Sequence, residues 1–289
     1  MALILSSLTL SGLATPISKQ KFRSPGGRWP NTINIDAKSS FGISGNLNPN
    51  FLQTINGVPT LVGNYPKGSY AGSKGPGAPG ISGFIFSASG SPDVQIERAK
   101  EAKLTYEVQF ASGFDFALGG KMPGLLIPED GGMDADTAGM CSGGRHSGIK
   151  SDACFSARLM WRDAGKGELY AYLPTANNDN SVCQNKCGTS WGRSIGTGKW
   201  VFKPGEWTQI TERVRLNDVG QSNGEIEVLI GGDSKVKVGG LVLRSDERGR
   251  LRGVMMHTFF GGSSKPDYAS PKDQKAYFRG FTLEVTETI

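Results

Sequence analysis

Along most of the chain, apolar side chains fall on every second residue. In Leu104-Thr105-Tyr106-Glu107-Val108-Gln109-Phe110 the even positions are apolar and most odd ones polar, and similar alternation recurs at 155–162, 168–173, 208–216, 225–230 and 277–285. That period belongs to a strand with one buried face. Each run is short and bounded by Gly, Pro, Asn or Asp, the residues that set turns. Residues 94–103 alone offer the spacing for a helical turn. Nowhere do helical crossovers separate the strands, as parallel pairing would require. The pattern predicts an all-β protein, a single antiparallel β-sandwich of jelly-roll type.

One hairpin can be read in detail. Alternation through 155–162 and 168–173 puts Phe155, Ala157, Leu159 and Trp161 on one face with Leu169, Ala171 and Leu173, which is the core face. Ser156, Arg158, Met160 and Arg162 then share the opposite, exposed face with Glu168, Tyr170 and Tyr172. A symmetric five-residue loop at 163–167 would set Arg158 across from Tyr172 and Met160 across from Tyr170. From the residues alone, this face fits a solvated surface with cross-strand Arg–Tyr stacking as well as it fits a ligand surface.

Composition supports the strand reading. Glycine is 42 of 289 residues, roughly double average usage, and charged residues are 20%. That combination argues against disorder, coiled coil and helical bundle. No apolar run is long enough to span a membrane as a helix. The net charge of +6 suits a polyanionic partner, although the basic residues form no long run; Lys19, Lys21 and Arg23 are the densest group. The two histidines, His146 and His257, exclude a three-histidine metal site.

Residues 1–14 (MALILSSLTLSGLA) resemble a short secretory signal with a small-x-small exit at Gly12 and Ala14, lacking the usual basic start. Residues 15–50 read as a polar, turn-rich leader with the first strands, and 51–289 as the jelly-roll domain. Four cysteines form two local groups, and the expected disulfides are Cys141–Cys154 and Cys183–Cys187, one of three possible connectivities. With the leader they place the protein in an oxidising, extracellular setting.

Several segments together carry a resemblance. Gly-Gly-Lys-Met-Pro-Gly-Leu (119–125), Cys-Phe-Ser-Ala-Arg-Leu-Met-Trp-Arg (154–162), Glu-Leu-Tyr-Ala-Tyr-Leu-Pro (168–174) and Thr-Phe-Phe-Gly-Gly-Ser (258–263) resemble polysaccharide lyase family 14. The stretches at 65–70, 183–187 and 271–273 add to it, so the likeness spans roughly residues 58–285. It implies a β-jelly roll that cleaves alginate or β-1,4-glucuronan by β-elimination without an obligatory metal. The family's catalytic lysine falls on Lys121, its serine and arginine on Ser156 and Arg158, and its paired tyrosines on Tyr170 and Tyr172. Four of these five are residues that alternation had already gathered. Lys121 follows two glycines in a loop after the strand that ends near Phe110; by itself such a lysine is ordinarily a solvated charge.

The chemistry suits those side chains. Elimination across a uronate needs a cation to offset the C6 carboxylate, a base for the C5 proton and an acid for the departing O4. Arg supplies planar donors, and Tyr or Lys can act as acid or base once burial or neighbouring charge moves their pKa. Arg162 and His257 are further substrate-binding candidates, with Glu168 expected to pair with Arg162 as its cross-strand neighbour. No cofactor and no metal are expected; the partner is an acidic polysaccharide rather than nucleic acid or membrane, and the protein a monomer. The acidic, Gly-rich stretch 126–140 departs from the family pattern and reads as a solvated insertion. The expectation is thus a secreted polyuronate lyase, mannuronate-rich alginate foremost. The rivals are a non-catalytic carbohydrate-binding sandwich and a glycoside hydrolase, which would need two carboxylates flanking the scissile bond.

Overall fold

The computed structural model describes residues 18–21, 51–70, 82–89, 95–128, 154–174, 192–261 and 266–289. In chain order its strands are β1 (Ser18–Lys21), β2 (Leu52–Ile55), β3 (Val58–Tyr65), β4 (Phe84–Ser89) and β5 (Ala99–Phe110), then β6 (Gly119–Lys121), β7 (Gly124–Pro128), β8 (Cys154–Arg162), β9 (Gly167–Tyr172) and β10 (Arg193–Ile195). They end with β11 (Trp207–Arg215), β12 (Gly224–Ile230), β13 (Asp233–Leu241), β14 (Gly253–Phe260) and β15 (Gln274–Thr288). Sheet A runs β13-β12-β11-β5-β15-β3-β2, with β1 also on β15. Sheet B runs β10-β9-β8-β6-β14-β4, and β7 continues the lane of β6 between β8 and β14. All these pairings are antiparallel, and the two sheets face each other as the jelly-roll sandwich that the alternation predicts.

Alternation becomes burial in the middle of sheet A. On β5, Leu104, Tyr106, Val108 and Phe110 point inward and are almost wholly buried, while the residues between them are partly exposed. Outside, Arg213 bridges Glu101 on β5 and Glu225 and Glu227 on β12 at 2.5–2.9 Å, a three-way network that ties three strands together. The helical expectation for 94–103 shrinks to one 3₁₀ turn at Ile96–Arg98. From Ala99 onward the chain is strand, because β15 and β11 offer ladders on both sides and tertiary pairing overrides local preference.

Between the sheets lies an aromatic core. Phe110 packs 4.8 Å from Phe114 and 5.3 Å from Trp161, which stands 5.3 Å from Phe260. Trp161 donates its indole N–H to the Phe116 carbonyl, so its polar atom is satisfied inside the core. Tyr65 on β3 shares a 2.5 Å hydrogen bond with Thr258 on β14, linking the sheets.

Glycine is demanded where β6 and β7 run between β8 and β14. A Cβ on Gly120 would lie 2.0 Å from the Trp161 ring, and one on Gly124 would lie 1.8 Å from the Ala157 carbonyl oxygen. At these two positions the lane has room for backbone alone. Among the described residues no helix is long and apolar enough to cross a membrane. Residues 1–14, 129–140, Cys141, Cys183 and Cys187 lie outside the described residues, as does the Cys154 side chain, so both disulfides do too. The first residues of the 126–140 stretch, read as a solvated insertion, are instead part of strand β7, with Leu126 and Ile127 buried because β8 and β14 pair on both sides.

Gly124→Ala should destabilise the protein by about 3 kcal/mol or more, because the new methyl group meets backbone rather than a flexible side chain. Urea unfolding checks this: a midpoint equal to that of the parent would show that the lane is wider than described.

Candidate active site

The β8–β9 hairpin delivers the two faces that alternation assigned. Phe155, Ala157, Leu159, Trp161, Leu169, Ala171 and Leu173 join the core, whereas Met160, Tyr170 and Tyr172 cluster on the other side. The register differs by two residues from the sequence expectation. Arg158 lies opposite Tyr170, Ser156 opposite Tyr172, and Met160 opposite Glu168. The turn is tighter than a symmetric five-residue loop. Ala164 and Gly165 take positive φ of 54° and 76°, and the Arg162 N–H closes onto the Lys166 carbonyl at 2.7 Å, so Gly167 already belongs to the ladder.

The expected exposed face is also corrected. Lys121, Ser156, Arg158, Tyr170, Tyr172 and His257 are all buried, with Arg158 only 2% exposed. Long side chains from four neighbouring strands converge there and cover one another. Lys121 sits on β6 rather than in a loop, its backbone paired with Met160 on one side and Phe259 on the other. Backbone on both flanks makes a strand of a Gly-rich segment that looks like a loop when read alone.

The Lys121 amine lies 3.3 Å above the centre of the Tyr170 ring and donates toward the Met160 sulfur. Among the described residues it makes no ion pair. Burial lowers its pKa well below the ordinary lysine range, and the neighbouring Arg158 and Arg162 guanidinium groups push in the same direction, against a smaller opposing pull from Glu168. The amine is thereby driven toward its neutral form, a base with an available lone pair. Burial acts oppositely on Tyr170, raising its pKa above the ordinary phenol value, with Tyr172 adding to the effect. This phenol keeps its proton.

Arg158 donates to His257 Nδ1 at 3.2 Å. Because a guanidinium only donates, Nδ1 accepts and the neutral ring carries its proton on Nε2. Burial pulls the His257 pKa well down, helped by the charges of Arg158 and Lys121. Arg158 has no ion pair among the described residues, and its Nε has no hydrogen-bond partner among them. A buried guanidinium without a counter-charge is costly, and its fork of donors suits a carboxylate.

Arg162, by contrast, is committed. Its guanidinium meets Glu168 at 2.6 Å and Ser194 at 3.1 Å, and Glu168 also accepts from Ser194 and Thr197. The expected Arg162–Glu168 pair exists, although the partners are diagonal rather than directly opposite. Arg162 also stands 5.5 Å from the centre of the Tyr170 ring, which lies 5.6 Å, centre to centre, from the Tyr172 ring in an edge-on arrangement.

All seven candidate residues thus sit on one face of sheet B. Sequence reasoning missed Phe259, half-buried beside Lys121, although it alternates with His257. It also missed Ser194 and Thr197, on and just after a strand too short to show a period. Gly192, where a Cβ would strike the Tyr170 ring at 2.4 Å, is a further member. No group of three or more His, Cys, Asp or Glu among the described residues could hold a metal ion.

A jelly roll carrying on one face a desolvated amine, a protonated phenol and a guanidinium with no ion pair among the described residues has the means for lyase chemistry. The sequence pattern of polysaccharide lyase family 14 matches residues 54–281, and the chain belongs to that family. The crystal structure of a marine family-14 alginate lyase from Aplysia kurodai is similar with a TM-score of 0.65 and 32% identity, covering 80% of this chain and 85% of that one. Alginate lyase vAL-1 from Chlorella virus gives a TM-score of 0.63 at 25% identity, with 88% and 93% covered. Exolysin of Paramecium bursaria Chlorella virus 1 is 25% identical over 173 residues, 55% of this chain, which spans about a quarter of the length of that curated relative.

Lys121 binds its proton more weakly folded than unfolded, so folding carries a cost below the unfolded lysine pKa of about 10.4 that vanishes as pH rises through it. Lys121→Met should therefore raise the melting temperature at neutral pH, on the order of 5 °C, with the gain shrinking toward about pH 10. Thermal melts across pH test the sign: a gain independent of pH would mean that the amine is charged in the folded protein.

Proposed function

We propose that the protein cleaves mannuronate-rich alginate by β-elimination, with Lys121 as base. The observation that carries this reading is the desolvated Lys121 amine stacked 3.3 Å over Tyr170, beside an Arg158 guanidinium that has no ion pair among the described residues. Arg158 takes the C6 carboxylate of the sugar and draws charge from C5. The Lys121 lone pair accepts the C5 proton. The C5–H electrons form the C4–C5 double bond as the C4–O4 bond breaks, and the Tyr170 phenol protonates the departing O4. Proton transfer from the Lys121 ammonium back to the Tyr170 phenolate restores both groups. Ser156, Tyr172 and His257 hold the sugar and the guanidinium, and Arg162, anchored by Glu168, meets a neighbouring carboxylate.

The stereochemistry supports mannuronate. Base and acid lie on the same sheet face, so both reach the sugar from one side, as syn elimination requires. In mannuronate and glucuronate H5 and O4 are disposed for that path, whereas guluronate, the C5 epimer of mannuronate, needs the two groups on opposite sides. Between mannuronate and glucuronate, the likeness to two alginate lyase structures supports the alginate sugar, mannuronate, as the substrate here. The apolar segment at residues 2–13 with its small-residue exit supports an exported enzyme.

Incubation with polymannuronate, polyguluronate and glucuronan, read by the ultraviolet absorbance of unsaturated ends, should give the greatest rate on polymannuronate. Lys121→Ala should lose about 10³-fold or more in kcat, and Arg158→Lys about 10²-fold in kcat/KM. The acid limb of kcat/KM should have its midpoint well below the ordinary lysine value of about 10.4. Reducing ends without unsaturation, or a fully active Lys121→Ala, would overturn the mechanism; preference for glucuronan would overturn the substrate alone.

A further inference from the structure

The lane that carries Lys121 is not a regular strand. Lys121 pairs with Met160 on β8 and Leu126 pairs with Ser156, so five residues on one side match four on the other. On the β14 side the mismatch has the opposite sense, with Lys121 paired to Phe259 and Leu126 to Gly253. The backbone jogs at Met122–Pro123. An odd spacing ordinarily sends two side chains to opposite faces, yet here both Lys121 and Leu126 lie on the face of Met160 and Ser156. A slip of one residue would turn Lys121 into the core.

Two buried polar side chains of sheet A reach across the core to this jog. Tyr106 on β5 donates its hydroxyl to the Pro123 carbonyl at 3.1 Å, and Glu212 on β11 accepts the Leu125 N–H at 3.0 Å. Both are 0% exposed, and Glu212 Oε1 has no hydrogen-bond partner among the described residues. Burial raises the Glu212 pKa well above the ordinary carboxyl range. Glu212 occupies an inward position between Ile210 and Val214, where packing alone would place an apolar residue. A core carboxyl that makes one bond to another strand's backbone is a poor device for stability.

We infer that Glu212 and Tyr106 are positioning residues, whose hydrogen bonds to Leu125 and Pro123 pin the jog and so hold the Lys121 amine on the substrate face. The inference rests on Lys121 being the base. With the clamp removed, the lane relaxes toward its regular register, and the amine moves off Tyr170 toward water.

The test compares Glu212→Leu, Glu212→Gln and Tyr106→Phe with the parent by two readouts. The first is kcat and KM on polymannuronate. The second is the titration of the Lys121 amine, followed by NMR of lysine labelled at Cε and assigned with Lys121→Met. Glu212→Leu should lose about tenfold in kcat with KM within twofold, and its Lys121 midpoint should move upward by about one pH unit. Glu212→Gln, which keeps an acceptor for the Leu125 N–H, should restore most of the lost kcat and the parental midpoint. Tyr106→Phe should fall between the two. A Lys121 midpoint in Glu212→Leu equal to that of the parent would overturn the inference, even if the melting temperature falls. The titration needs no turnover, so a parent inactive on all three polymers would defeat the functional reading and leave this one judged separately.

Discussion

The site depends on keeping a lysine amine out of water beside two guanidinium groups. In that setting a charged ammonium is penalised twice, by lost hydration and by like charge, so the amine's pKa falls well below the ordinary lysine range. A carboxylate partner would undo this by restoring the charge, and the nearby acid, Glu168, is instead occupied by Arg162, Ser194 and Thr197. Lys121 meets a tyrosine ring face and a thioether. Both tolerate a neutral amine, and the ring face attracts the cation once a proton arrives. The same desolvation that frees the amine's lone pair keeps the Tyr170 phenol protonated, so one physical cause readies both partners.

This arrangement requires a backbone lane thin enough to pass between two fully paired strands. Gly120 and Gly124 provide it, since a side chain at either point would strike Trp161 or the Ala157 carbonyl. Met122, Leu125 and Ile127 anchor the lane in the core. The aromatic core behind it fixes its depth, and polar contacts from sheet A fix its register, Tyr106 to Pro123 and Glu212 to Leu125, while Tyr65 to Thr258 holds the neighbouring strand β14. Sheet A, which contributes none of the seven candidate residues, thus governs the geometry of the face that sheet B presents.

Much of this was readable from residue order. Period two across 155–162 and 168–173 sorted Ser156, Arg158, Tyr170 and Tyr172 onto one face, because a buried opposite face leaves alternation no freedom. The partners across the hairpin were misjudged by two positions, since Ala164 adopts positive φ, which its residue type does not announce. Lys121 looked like a loop residue because strand formation there comes from neighbours distant in sequence. Burial of the cluster was hidden for the same reason: solvated and shielded faces alternate alike. Glu212 did leave a trace, a charged residue where Ile210 and Val214 set an inward rhythm, and such a violation marks a site more sharply than agreement does.

The placement of β15 has a consequence for how the molecule comes into being. It lies in the middle of sheet A, between β5 on one flank and β3 and β1 on the other. About 160 residues separate the end of β5 from the start of β15. At synthesis rates of roughly 5–20 residues per second, β5 waits on the order of 10–30 s for that neighbour. During that interval two hydrogen-bonding edges stand open to any extended chain nearby. A sheet zipped shut by its latest strand leaves nascent chains dependent on chaperones or dilution, while the finished sandwich has no such edge at its centre.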